Sequence, residues 1–225
     1  ATAGLFEDVA LFTADPDVTA DIAELFNYLT GYSRQSSYRK LLVAPTTLRS
    51  GMVKLIQEEA LRPEGRIVIK VNNLVDPEVI DALYRASQAG VRIDLIVRGI
   101  CCLKPGVPGL SDEIRVRSLI GHYLEHSRIF RFGSDSDRHV LIGSSDLMPR
   151  NLDRRVEAVV PVTDPDLNKQ IEQFLALELA DDTLAWELAG DGTWSKAAAG
   201  RGVNTQELMQ RATLGIVGDE GVEAA

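Results

Sequence analysis

Cysteine, histidine and long apolar runs are scarce in this sequence. Its two cysteines, Cys101 and Cys102, are adjacent, and neighbours in sequence rarely form an unstrained disulfide, so a disulfide-linked secreted class is excluded. No apolar run is long enough for a transmembrane helix, and no basic-then-apolar signal opens the chain. These absences predict a protein of a reducing cytoplasm.

Charge is plentiful and unevenly distributed. The 225 residues are 45% apolar and 25% charged, which is typical of a globular protein of one large or two small domains. The net charge is −9, yet residues 34–155 carry 20 bases and 14 acids, whereas both flanks are acidic. Arginine suits planar contacts to phosphate, although charge alone leaves open that these arginines only form surface ion pairs.

Hydrophobic periodicity predicts alternating strands and helices, and therefore a parallel sheet with right-handed crossovers. The predicted strands cover 5–12, 41–44, 67–71, 91–97, 114–119, 128–132, 139–142 and 156–162. The predicted helices cover 16–29, 46–59, 76–90, 164–179 and 203–214. Composition predicts a flexible linker over 189–203 and a disordered acidic tail after Gly215.

Polar residues stand at the carboxyl ends of two predicted strands. Lys70 and Asn72 lie at the end of one strand, and Arg98-Gly99 follows the next. Ligands bind at this edge of open α/β sheets, so Lys70, Asn72 and Arg98 are predicted to converge on one crevice. The alternative is that Asn72-Asn73 only forms a turn and Arg98 pairs with an acid.

All three histidines lie between residues 122 and 139, and two of them form a short metal-site pattern. His122, Glu125 and His126 fit H-x-x-E-H, in which two histidines on a helix bind zinc and the glutamate acts as a base. The strand predicted at 128–132 leaves little room for such a helix, and the arginine-rich surroundings disfavour a dication. We therefore expect no zinc site here.

A second pattern around His126 points to phosphoryl chemistry. His126 and Arg128 are two residues apart, so they lie on one face of an extended segment. The Gly143-Ser144-Ser145 turn then offers amides and hydroxyls to phosphoryl oxygens. The alternative is a core histidine beside an ordinary turn.

Longer ordered motifs carry a family resemblance. They are 11–15 (LFTAD), 25–27 (LFN), 70–76 (KVNNLVD), 95–99 (LIVRG), 124–128 (LEHSR) and 144–157 (SSDLMPRNLDRRVE). With these motifs the chain resembles the C-terminal part of bacterial polyphosphate kinases. The resemblance implies an α/β fold, a phospholipase-D-like mixed sheet flanked by helices. It also implies that 1–15 ends an upstream lobe, that 16–188 form the second catalytic lobe, and that 189–225 hold the linker, a short helix and the tail.

The resemblance implies reversible transfer of the ATP terminal phosphate to polyphosphate, through a phosphohistidine located before residue 1. His126 matches the second-lobe catalytic histidine, and Arg98 matches a nucleotide-phosphate-binding arginine. Phe6, Asp8 and Arg128 complete the implied ATP and phosphate site. The family usually has tyrosine at the position of Phe6, and phenylalanine keeps the aromatic ring that can stack but lacks the hydroxyl. Further arginines are candidates for neutralising phosphate charge: 115, 117, 150, 154 and 155.

The implied partners are ATP or ADP, inorganic polyphosphate and magnesium, for which the sequence names no ligand. We expect no specific nucleic-acid partner, a homo-oligomer for the full-length protein and a cytoplasmic location; peripheral membrane association stays open. The isolated chain is expected to be inactive. Two alternatives remain: a phospholipase-D-like phosphodiesterase or nuclease, and a non-catalytic module that only binds polyanions.

Overall fold

A computed structural model describes residues 3–32, 37–134 and 137–214, with a short 3-10 helix at Ala3–Leu5. The strands are β1 (Phe6–Glu7), β2 (Leu42–Ala44), β3 (Arg66–Val71), β4 (Arg92–Val97), β5 (Ile114–Leu119), β6 (Leu124–Glu125), β7 (Ile129–Phe132), β8 (His139–Gly143), β9 (Glu157–Val162), β10 (Ala185–Leu188) and β11 (Trp194–Lys196). The helices are α1 (Pro16–Leu29), α2 (Leu48–Glu59), α3 (Pro77–Gln88), α4 (Pro149–Arg154), α5 (Pro165–Ala180) and α6 (Thr205–Thr213).

Three of the helices begin at an Asp-Pro pair, as the sequence predicts. The carboxylates of Asp15, Asp76 and Asp164 accept hydrogen bonds from amides of the first turns of α1, α3 and α5. Proline follows each of them, and its fixed φ suits the first helical position. These helix starts are fixed by local chemistry, which is why the sequence predicts them correctly.

Nine strands form one mixed sheet in the order β11-β10-β5-β4-β3-β7-β8-β9-β2. The central strands β3, β4 and β5 are parallel, which confirms the prediction for β3 and β4. The prediction is wrong for β2, which lies at the edge of the sheet and pairs antiparallel with β9. On one face the core joins the sheet to α2 and α3, and on the other face it joins the sheet to α5. The predicted fold class, a mixed sheet flanked by helices, is confirmed.

The prediction of a flexible linker over 189–203 is wrong at its centre. Strand β11 lies within it and pairs with β10, a second strand that the sequence analysis missed. Asp182 then accepts hydrogen bonds from the backbone amides of residues 200–203. The predicted α6 is confirmed, whereas the predicted tail after Gly215 lies outside the described residues.

The prediction of a strand over 5–12 is also wrong beyond its first residues. Only Phe6 and Glu7 form a strand, and it pairs with β6 in a separate two-stranded sheet. Val9 and Leu11 pack against the core without strand pairing, and Phe12 is 95% exposed. The assignment of 1–15 to an upstream lobe stays a prediction. None of the helices in the described ranges is long and apolar enough to cross a membrane.

Candidate functional site

The residues that follow β3 and β4, Asn72-Asn73 and Arg98-Gly99, approach each other closely at the carboxyl edge of the sheet. We call this close approach of the two backbones the β3–β4 crossing. Gly99 N donates to Asn72 O at 2.7 Å, and a β-carbon on Gly99 would lie 2.9 Å from that oxygen. Asn72 N in turn donates to the Asp146 carboxylate at 2.8 Å, and the Asn73 side-chain amide donates to the other oxygen at 2.9 Å. The crossing therefore brings Asn72, Arg98 and Asp146 to one sheet edge, as predicted for Asn72 and Arg98.

His126 lies at this edge between two residues of the amino-terminal segment. Its Nδ1 is 2.9 Å from the Asp8 Oδ2, and its ring stacks on Phe6 with centroids 5.1 Å apart. Its backbone amide donates to Glu7 O at 3.0 Å. About a third of the His126 side chain stays exposed, so the imidazole is oriented by the protein and still open to a ligand.

Two guanidinium groups accompany the imidazole. Arg128 Nη1 donates to His126 O at 2.8 Å, and Arg128 Nε donates to Asp146 at 3.3 Å. Burial lowers the pKa of Arg98, with Asp146 opposing the effect, and Arg98 Nε is buried without a hydrogen-bond partner among the described residues. We call Phe6, Asp8, Arg98, His126 and Arg128 the open site. It concentrates positive charge where hydrogen-bonding capacity remains free.

The serine hydroxyls of the predicted phosphoryl-binding turn are already used. Ser144 Oγ donates to Glu157, and Ser145 Oγ donates to its neighbour's carbonyl, Asp146 O, at 2.8 Å. Asn151 donates to the other Glu157 oxygen at 2.7 Å. The prediction that these hydroxyls face a ligand is wrong, because Glu157 of β9 accepts from Ser144 and the Asp146 carbonyl accepts from Ser145.

Lys70 does not share the predicted crevice with Asn72 and Arg98. It is 2% exposed, and its ammonium lies 2.8 Å from Glu7, 2.6 Å from Glu125 and in contact with Glu178. We call these four residues the buried cluster. The Lys70 ammonium also lies 4.5 Å from the Phe174 ring centre of α5. Lys70 therefore joins β1, β6 and α5 beneath the open site.

The Lys70 ammonium and the carboxyls of Glu125 and Glu178 shift one another's pKa values. Burial would lower the pKa of Lys70, but the surrounding carboxylates outweigh it and raise that pKa. Burial raises the pKa of Glu178 well above its ordinary value, against the opposing effect of Lys70. Burial also opposes ionisation of Glu125, yet Lys70 outweighs it and holds the pKa of Glu125 below its usual range.

A resident metal does not fit the described residues. Among them, one group of three metal-ligating side chains lies close enough to share an ion, namely Glu7, Glu125 and Glu178. The Lys70 ammonium already fills the space between these carboxylates. Magnesium commonly enters such sites on substrate phosphates with one or two carboxylates, and no preformed site is needed for that.

The zinc pattern is not realised as a helix. Residues 121–123 are bends and 124–125 form β6, so Glu125 and His126 point to opposite sides of an extended segment. Glu125 enters the buried cluster, whereas His126 joins the open site. His122 contacts Tyr123 edge-on at 4.9 Å and contributes to neither. The helical pair of histidines that the H-x-x-E-H pattern requires is therefore not formed.

The apolar cavity beside the open site has a volume of about 680 Å³ and begins at Phe6 and Asp8. It runs between residues 6–11 and the helices α5 and α6, where Phe174 and Met209 line it. Phosphate needs charged or polar donors, so we do not assign this cavity to a phosphoryl group. No periodicity in the sequence pointed to it, because residues far apart in the chain form its walls.

The sequence analysis missed two residues that organise the site. Asp146 holds the crossing and Arg128, while Glu7 accepts hydrogen bonds from Lys70 and from Ser127 Oγ, each at 2.8 Å. Asp146 lies within the motif at 144–157, which could have indicated that it belongs to the site. Arg115 and Arg117 are absent from the open site, because β5 places Arg115 beside Asp94 and Arg117 donates to the carboxyl end of α5.

Sequence comparison gives a family for most of the chain. The family described as polyphosphate kinase C-terminal domain 2 matches residues 41–208. A polyphosphate kinase of Streptomyces coelicolor is 54% identical over 202 residues, covering 88% of this chain and 27% of the relative. One from Prochlorococcus marinus is 48% identical over 228 residues, covering 100% of this chain and 32% of the relative.

Structure comparison agrees with the sequence comparison. The crystal structure of polyphosphate kinase from Porphyromonas gingivalis superposes with a TM-score of 0.85 at 38% identity. The match covers 91% of this chain and 32% of that one. The chain thus spans about a third or less of the proteins that it matches here.

Proposed function

The chain belongs to the polyphosphate kinase family, and on that premise we propose that it is the second catalytic lobe of an enzyme that reversibly transfers the ATP terminal phosphate to polyphosphate. The observation that carries the proposal is the open site itself. The oriented and partly exposed imidazole of His126 lies beside Arg128, which donates to Asp146. Arg98 adds a buried Nε–H that has no hydrogen-bond acceptor among the described residues.

Phosphoryl transfer depends on positioning and on neutralising oxygen charge. Arg98 and Arg128 supply two permanent positive charges for the nucleotide phosphates. Asp8 accepts a hydrogen bond from Nδ1 of His126, and Arg128 Nη1 lies 3.2 Å from Nε2, so a phosphoryl group that approaches Nε2 would also meet this guanidinium. In this role His126 gives or takes a proton, while the phosphorylated histidine lies on the upstream lobe that the family resemblance implies.

Phe6 offers a ring for stacking on the nucleotide base, and Arg98 binds its phosphates. Magnesium enters with those phosphates and adds charge neutralisation when bound. The described residues would give it at most single carboxylates, so none is assigned as its ligand. A cytoplasmic location and a homo-oligomeric full-length protein complete the proposal.

The test uses the full-length protein and measures ATP-dependent polyphosphate synthesis. We expect His126→Ala to lower turnover by about 10²–10⁴, the usual effect of removing one positioned proton-transfer group. His122→Ala is the matched control, since His122 lies outside the open site, and it should keep wild-type turnover. Equal turnover of His126→Ala and wild type would remove His126 from the mechanism.

The isolated chain gives a second test. With γ-labelled ATP and magnesium it should acquire no acid-labile phosphate, because the phosphorylated histidine belongs to the upstream lobe. Near-stoichiometric labelling of the chain would contradict that assignment. Cleavage of a phosphodiester substrate by the chain, lost in His126→Ala, would instead favour the phosphodiesterase alternative.

A further inference from the structure

A second concentration of arginine lies on the sheet face that carries α5, and it extends from the amino ends of β3 and β4 to the middle of β5. Arg66 and Arg92 open β3 and β4 as cross-strand partners, and Arg115 pairs in register with Asp94. With Arg117 they line a cavity of about 390 Å³. We call this cavity the arginine groove. Arg92 and Arg98 are six residues apart on an extended strand, so the Arg92 end of the groove lies about 20 Å from Arg98 of the open site, whereas Arg117, in register with Ile96, lies nearer to it.

The arginine groove holds more positive than negative charge. Four guanidinium groups face two carboxylates, Asp94 and Glu187. Asp94 lies 2.5 Å from Arg66 and 3.8 Å from Arg92, so it is shared, while Glu187 lies 3.4 Å from Arg117. The groove therefore keeps an excess of two positive charges that its own carboxylates leave unbalanced.

The four arginines differ in how much binding capacity they retain. Arg117 is committed to the carboxyl end of α5, where it donates to the carbonyls of Glu178 and Leu179. Arg92 is 60% exposed, and the Arg115 side chain has no hydrogen-bond or ion-pair partner in the part of the chain that the structure describes. Burial lowers the pKa of Arg66 and Arg92 adds to this effect, whereas the paired Asp94 opposes it.

The lining also restricts the chemistry of the anion. Guanidinium groups bind phosphate oxygens through paired hydrogen bonds. None of the described residues that line the groove is aromatic, so it has no platform on which a nucleotide base could stack. The lining thus favours a chain of phosphates without bases.

We propose that the arginine groove is an accessory site that holds a distant part of a long inorganic polyphosphate chain while another part occupies the open site. This inference rests on the proposed function for the identity of the polymer. When one segment of a polymer is bound at one site, the effective concentration of its other segments at the second site rises. A long chain that reaches both sites therefore binds more tightly than a short chain that reaches one. The groove would act in holding the polymer, and it adds no reacting group.

The test compares groove and site variants of the chain by their dissociation constants for long-chain polyphosphate across a salt series. Arg92→Ala/Arg115→Ala should bind long chains at least about tenfold more weakly, because two charge-assisted contacts are lost. Its plot of log affinity against log salt should flatten by about two units of slope, one for each lost phosphate contact. ATP affinity should stay at the wild-type value.

Two further variants serve as controls. Arg92→Lys/Arg115→Lys keeps the charge and should keep most of the salt slope. Arg85→Ala removes an exposed arginine from α3, on the opposite side of the sheet, and should change nothing. Thermal melting of each variant verifies that it folds.

The outcomes separate this inference from the proposed function. Wild-type affinity and slope in Arg92→Ala/Arg115→Ala would overturn the accessory site, whatever the transfer assay gives. Weaker polyphosphate binding in that variant would support the groove even if the full-length protein transferred no phosphate, a result that would sink only the proposed function.

Discussion

The open site and the buried cluster are built from the same short segments, and they differ in how many of their polar groups can still bind a ligand. Along β1 and its continuation, Phe6 and Asp8 turn to His126, whereas Glu7 between them turns to Lys70. In the buried cluster the Lys70 ammonium contacts three carboxyl groups and is almost completely buried. In the open site an imidazole and two guanidinium groups keep exposed or unpartnered atoms.

The comparison teaches that residue type alone does not separate stabilising from functional charges. Lys70 and Arg98 are both cations at neighbouring strand ends, yet one is neutralised in the core and the other keeps a free donor. Alternation along an extended segment decides which side each residue faces. Substitutions that act on one region should therefore leave the other region's property nearly unchanged.

Lys70→Met should produce the largest effect, and it should fall on stability. The change leaves the charges of Glu7 and Glu125 buried without their partner, and breaking a buried ion pair in this way costs about 3–5 kcal/mol. Urea denaturation measures the free energy of unfolding. Lys54→Met, which removes an exposed pair with Glu58 on α2, is the control and should unfold like wild type. A stable Lys70→Met would show that the cluster adds nothing to the fold.

Arg98→Ala should change binding and spare stability. Losing one hydrogen bond to a charged phosphate costs about 1.5–3 kcal/mol, which corresponds to roughly 10- to 150-fold weaker ATP binding. Isothermal titration with ATP and magnesium measures it, with Arg85→Ala as the control. Unaltered ATP affinity would take Arg98 out of the site.

Glu178→Gln should change how stability depends on pH. Burial raises the pKa of Glu178 in the folded chain, so the folded state holds more protons, and the free energy of unfolding falls as pH rises above the ordinary value of 4.5. The slope is at most about 1.4 kcal/mol per pH unit. The glutamine variant lacks this proton, so its stability should fall less steeply with pH.

The control for that series is Glu207→Gln, which removes an exposed carboxylate paired with Arg211. Urea denaturation from weakly acidic to weakly basic pH measures all three proteins. Parallel curves for wild type and Glu178→Gln would mean that Glu178 is ionised inside the fold.

Phe6→Leu should give the smallest effect. Aromatic stacking contributes about 0.5–1.5 kcal/mol beyond buried area, and leucine keeps much of the area while losing the ring contact with His126. A modest rise in the KM for ATP with little change in unfolding is expected. Phe12→Leu, at a residue that contacts solvent almost entirely, controls for the substitution itself.

The fold was predictable where the information is local. Asp-Pro pairs marked the starts of α1, α3 and α5, and the apolar runs of β3 and β4 marked central strands buried on both faces. The two-residue β6 and the short β10 were missed, because partners distant in sequence decide whether they pair, and the edge strand β11 was missed together with its partner β10.

The site was predictable only in part for the same reason. The spacing of His126 and Arg128 indicated that they lie together, and they do. Nothing in the spacing indicated that Asp8 meets His126, since 118 residues separate them. Lys70 was misplaced because its position at a strand end resembles that of Asn72, and only the packing of α5 over that face reveals its burial.

The parallel pairing of β1 with β6 has a consequence for the order of folding. Residues 123–126 bind residues 6–8 on one side and Gln206 on the other. The hydrogen-bonded residues are 118 positions apart for Asp8 and His126, and 81 and 83 positions apart for the bonds of Gln206. Closing loops of that length costs entropy before the contacts return any stability, so these contacts should form after the central sheet. Substitutions there should then speed unfolding and leave the folding rate nearly unchanged, which makes the site the late-assembling part of the molecule.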